Sequence, residues 1–143
     1  NPEASWMDGQ NGNYGTLFSE VEEKISFTSD EVSSITFSAH SYGGKAIQNI
    51  LNSLGSSSDI TPTKYILLDA CFHDWCQTIN AQGKPMVVFQ QESGTSPPTI
   101  LKPKDFYPQL SPELVSLNFV SEGHYTVFTK YFDKIYTDES NIF

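Results

Sequence analysis

Ser41 stands in the run Ser-Ile-Thr-Phe-Ser-Ala-His-Ser-Tyr-Gly-Gly-Lys-Ala, positions 34–46, and its neighbours constrain what it can do. A β-rich stretch, Ile35-Thr36-Phe37, leads into it, and a helix-compatible stretch from Lys45 to Leu54 follows at once. A serine at the tip of a tight strand-to-helix turn has a strained backbone, so the residues two before and two after it must be tiny. Here they are Ala39 and Gly43. Such a turn lifts the hydroxyl above the sheet edge, and the N–H groups opening the next helix point at the same spot. The pattern is that of a nucleophile elbow, suited to attack on a carbonyl. The alternative is an ordinary strand–turn–helix whose serine only caps the helix.

Other elements must position any partner of this hydroxyl. Leu17, Phe18, Val21 and Ile25 recur at helical spacing, with Thr16 as N-cap and acidic residues in the early turns. The sequence then predicts a strand over 35–38, the elbow at 39–43, and a helix over 45–54 closed by Gly55. Tyr65 to Asp69 is a continuous apolar run ending in an acid, as in a strand buried on both faces. A short helix over 74–81 and a strand over 85–90 follow, then a long loop with Pro97, Pro98, Pro103 and Pro108. A strand over 114–120 and a helix over 125–136 close the pattern. Alternation of this kind predicts one α/β domain spanning 1–143, a parallel sheet with helices on both faces.

The pentapeptide Ala39-His40-Ser41-Tyr42-Gly43, followed by Gly44, resembles the elbow of small lipases and esterases of the α/β-hydrolase superfamily, with alanine at the first glycine position. The element order resembles the C-terminal half of that fold over roughly positions 15 to 137. The resemblance implies a triad in the chain order Ser, Asp or Glu, His. His124, in Ser-Glu-Gly-His-Tyr, falls between the last strand and the closing helix, where the family places its base. Gly123 is expected to let that loop turn inward. His40 reads as a packing residue behind the elbow, and His73 as an exposed residue near the mouth.

Two acids compete. Asp69 ends the second strand and Glu92 the third. The commoner family position is that of Glu92, yet Leu67-Leu68-Asp69-Ala70-Cys71-Phe72 resembles a Leu-Leu-Asp-x-x-Tyr stretch in a group of bacterial hydrolases. A carboxylate beside an apolar strand is costly to bury unless paired, and an imidazole N–H is one such partner. Asp69 is therefore preferred, with Glu92 the alternative. Tyr42 N–H is the expected oxyanion donor. A second donor normally comes from earlier strands that have no counterpart here. The expectation is thus a chain lacking the N-terminal strands of the fold, with a preceding segment, cleaved or further upstream, completing the sheet.

Composition limits the partners. Net charge is −9 and all eight basic residues are lysine, so nothing provides the basic, arginine-bearing surface of a nucleic-acid binder. No apolar run reaches the length of a membrane span. No metal-ligand cluster or dinucleotide fingerprint stands out, so no cofactor is expected. The N-terminus lacks a signal or transit pattern and an initiator Met, as in a processed or excerpted chain. Cys71 and Cys76 admit either a local disulfide or two buried thiols, which leaves the compartment open. The expected activity is hydrolysis of a small-molecule carboxylic ester or amide through an acyl-enzyme. A serine peptidase or amidase and a non-catalytic binding module of the same fold are the alternatives.

Overall fold

The computed structural model describes residues 23–24, 26, 31–54, 61–91 and 110–137, without the side chains of 73 and 133–137. Its elements run β1 (Thr36–His40), α1 (Gly43–Leu54), β2 (Lys64–Leu68), α2 (His73–Asn80), β3 (Met86–Gln91), β4 (Val115–Val120) and α3 (His124–Thr137). Of the helix expected over 17–25, only Glu23 and Lys24 are described, and both are helical. The rest of that helix and the proline-rich loop lie outside the described residues.

The strands form one parallel sheet in the order β1-β2-β3-β4. Thr36 pairs with Lys64 and His40 with Leu68. Tyr65 pairs with Met86, and Met86 with Val115. Stepping one way across a sheet by right-handed crossovers puts successive helices on the same face. Accordingly α1 and α2 share a face, and α3 takes the other. Side chains alternate along a strand, which splits the core in two. Tyr65, Leu67, Met86 and Val88 meet Ile47 of α1 and Cys76 and Ile79 of α2. Ile66 and Leu68 meet Val127 of α3, flanked by Phe89, Tyr131 and Phe132. The central strands are apolar without alternation because both their faces are covered.

Two further features, one polar and one covalent, fasten α2 to its neighbours. Gln48 of α1, buried, donates from Nε2 to Asp74 Oδ2 at 3.1 Å and to Thr78 Oγ1 at 2.9 Å, which fastens α1 to α2. Cys71 and Cys76 form a disulfide with Cα atoms 4.8 Å apart, both fully buried. It resolves the choice the sequence left open and clamps the segment after β2 to α2.

No helix among the described residues is long and apolar enough to cross a membrane.

Candidate active site

Ser41 is the first residue past β1, with φ of 55° in the left-handed region. Side-chain crowding makes this conformation costly for anything but glycine, asparagine or aspartate. Its amide donates to Leu68 O at 3.2 Å, and its carbonyl accepts from Gly44 N at 3.2 Å. The strand runs through Ala39 and His40, two residues further than the sequence suggested, so the turn begins at Ser41 itself.

The small flanks have a measurable cause. A Cβ at Gly43 would lie 3.2 Å from Ala39 Cβ, so the two positions crowd each other beneath the turn. Gly44 is tighter still. A Cβ there would stand 2.1 Å from Ala70 O and 3.2 Å from the Trp75 ring. The helix therefore enters against the backbone that follows Asp69. The sequence reading gave Gly44 no such role.

Asp69 occupies the matching position past β2, also left-handed, with φ of 46°. Its amide donates to Phe89 O at 2.7 Å. The register that pairs His40 with Leu68 sets Ser41 and Asp69 side by side at neighbouring strand ends. The Asp69 carboxylate is 1% exposed, yet none of its oxygens lacks a partner. Gln91 N–H donates to Oδ1 at 3.2 Å, and the Gln90 side-chain amide donates to the same oxygen. Oδ2 is left to accept from His124 Nδ1 at 2.5 Å.

His124 opens α3, and residues 121–123 carry the chain from the end of β4 back across β3 to reach β2. Gly123 O accepts from Thr126 N at 2.8 Å and Val127 N at 3.0 Å, starting the helix. Gly123 has no left-handed φ, and a Cβ there would meet open space, so the inward turn does not depend on its being glycine. What holds the loop is Glu122. It pairs with Lys130 one face along α3 and accepts from Tyr131 OH at 3.2 Å. The Lys130 hydrogen bond holds the Glu122 carboxyl below its usual range, and Glu122 raises Lys130 in return. Tyr131 stacks on Phe89 at 4.4 Å, tying the same turn to β3.

His40 sits closer to His124 than a residue bracing the elbow from behind would. Its Nε2 donates to His124 O at 2.9 Å, and its ring lies 4.6 Å from the His124 ring. It therefore holds both the backbone and the ring plane of His124. The His73 side chain and all of Glu92 lie outside the described residues.

With Nδ1–H given to Asp69, the other ring nitrogen of His124 is the one available as an acceptor. The Ser41 hydroxyl makes no hydrogen bond among the described residues. Tyr42 N–H makes none either and remains available beside Ser41. The Tyr42 ring, 60% exposed, meets Trp75 edge-on at 5.2 Å, and the Tyr125 ring, 80% exposed, stands 5.1 Å from His124. A recess of about 90 Å³ lined by Ser38, Ala39, His40, Leu68, Phe128 and Phe132 opens on the α3 side of β1, behind His40 and without Ser41. Among the described residues no group of three His, Cys, Asp or Glu side chains is placed to hold a metal ion.

Sequence reasoning missed Gln90 as well as Gly44. A signal was present: Gln90 is a polar residue ending the apolar run Met86-Val87-Val88-Phe89 beside a strand that ends in aspartate. No family model matches the chain, and no curated protein or solved structure matches it either.

Proposed function

We propose that the protein is a serine hydrolase of the α/β-hydrolase type, cleaving a carboxylic ester or amide through an acyl-enzyme. One observation carries the reading. His124 Nδ1 lies 2.5 Å from a buried aspartate whose strand end adjoins that of a left-handed Ser41. A solvent-accessible serine, an imidazole and a carboxylate gathered at one end of a parallel sheet have the composition of an acyl-transfer site.

In this reading Ser41 Oγ attacks the carbonyl carbon while His124 Nε2 takes its proton. Asp69 keeps the imidazole in the Nδ1–H tautomer and stabilises the imidazolium. Tyr42 N–H donates to the developing oxyanion. Collapse of the tetrahedral intermediate expels the alcohol or amine, which receives the proton from His124. Water then repeats the sequence, releasing the acid and restoring Ser41. The missing bond between Ser41 and His124 does not oppose this, because such bonds often tighten only with substrate bound. The reading needs a second oxyanion donor, and a segment packing beside β1, the outer strand of the described sheet, is its expected source.

Labelling with a fluorophosphonate, read by intact mass, tests the assignment. The wild type should take one label and Ser41→Ala none, with hydrolysis of p-nitrophenyl acetate falling in parallel. Residual turnover above about one part in a thousand in Ser41→Ala would remove Ser41 as nucleophile. Absence of labelling in the wild type would favour the binding-module alternative.

A further inference from the structure

Gln90, next to last in β3, is 1% exposed, yet both ends of its amide are committed. Nε2 donates to Asp69 Oδ1, and Oε1 accepts from Cys71 N at 3.2 Å. The orientation is fixed by this pairing. A flipped amide would aim its oxygen at the carboxylate and its NH2 at the Cys71 N–H, two repulsions in place of two bonds. Burying a polar group among Val87, Val88 and Phe89 costs stability unless it is fully paired, so an apolar side chain would serve packing better.

We propose that Gln90 is a positioning residue for Asp69 and, through it, for His124; its catalytic consequence rests on the hydrolase reading above. Gln90 and the Gln91 amide together saturate Oδ1. A carboxylate held at one oxygen cannot rotate freely, and Oδ2 stays directed at His124 Nδ1. The anchor for Gln90 is itself fixed, because Cys71 is tied to α2 by its disulfide. A line of contacts thus runs from the disulfide through the Cys71 amide and Gln90 to Asp69 and the imidazole. Gln90 is buried away from solvent, so it acts on the base and not on substrate.

Gln90→Leu keeps the approximate shape and removes the donor. Loss of one hydrogen bond to a charged group is expected to lower kcat on p-nitrophenyl acetate about tenfold or more, with KM within about twofold of wild type. The loss should all but vanish when Gln90→Leu is made on an Asp69→Asn background, because Gln90 acts only through that carboxylate. Where Gln90→Leu does not fold, Gln90→Met replaces it, an unbranched side chain of similar length that likewise offers Asp69 no donor. The downfield NMR resonance of the His124 Nδ1 proton reads the geometry without any turnover and should shift or broaden in either variant. An unchanged kcat, or a loss equally large on the Asp69→Asn background, overturns the proposal, as does an unmoved His124 resonance. A resonance that moves in a protein whose Ser41 takes no fluorophosphonate upholds the positioning and overturns the hydrolase reading alone.

Discussion

Asp69→Asn separates the chemistry from the fold with little ambiguity. Three donors meet the Asp69 carboxylate: the Gln90 amide and the Gln91 N–H at Oδ1, and His124 Nδ1 at Oδ2. Asparagine can keep the two at Oδ1 with its carbonyl oxygen. Its NH2 then stands where Oδ2 was, 2.5 Å from a ring nitrogen that carries a proton. Two donors cannot share that distance, so the imidazole must move its proton to Nε2 and accept at Nδ1. Under the proposed mechanism, Nε2 then cannot take the Ser41 proton. The expected loss in kcat is about 10⁴-fold, the scale on which a wrong tautomer acts, or roughly 5.5 kcal/mol of barrier. Stability should fall by only about 1–2 kcal/mol, since all three hydrogen bonds survive, the third with its direction reversed, and only the charge assistance of the carboxylate is lost. The assays are steady-state hydrolysis of p-nitrophenyl acetate and urea unfolding of the same preparation. Activity retained above about one tenth of wild type would refute the tautomer argument. A larger loss in Glu92→Gln than in Asp69→Asn would transfer the acid role to Glu92.

Further outcomes follow from single contacts. Gly44→Ala should cost about 3 kcal/mol, because its Cβ would stand 2.1 Å from a backbone oxygen that cannot rotate away; a thermal midpoint lowered by less than a few degrees would contradict the close approach. Replacing Cys71 and Cys76 together by alanine should cost about 2 kcal/mol through release of a short loop in the unfolded chain, measured by urea unfolding, and an unchanged midpoint would argue that the disulfide bears no load. Burial pushes the Tyr65 phenol up from 10.0 to about 12, so the folded state holds that proton more tightly than the unfolded one. Its contribution is complete below pH 10 and is lost as pH rises through about 12, a fall of roughly 2 kcal/mol. Tyr65→Phe should remove that part of the alkaline loss, and an identical alkaline slope in the variant would show the phenol is not responsible.

Local pattern carried much of the architecture. Apolar runs too short for helices, at 65–69 and 85–90, became the two central strands, because only a strand covered on both faces has reason to be apolar without alternation. Ala39 and Gly43 marked the turn at Ser41 because crowding between positions two apart on either side of it is a local property of the chain. Boundaries were less legible: β1 extends through His40, since pairing with Leu68 on another strand continues the ladder past the point where residue preference ends.

Tertiary structure decided what lies next to what. Asp69 and His124 are 55 residues apart, and nothing in either local sequence shows that residues 121–123 turn back far enough for a 2.5 Å contact. Gln90 looks like the polar end of a strand until the parallel register carries its amide to the Asp69 carboxylate. His40 reads as packing from its place beside Ser41, yet its partner is the backbone and ring of a residue 84 positions on. Gly44 looks like a second, dispensable glycine until α1 closes on Ala70 O. Periodicity and small residues are written along the chain because they answer to neighbours a few positions away. Hydrogen-bond partners across strands answer to the sheet, whose register and crossovers exist only once the chain has folded.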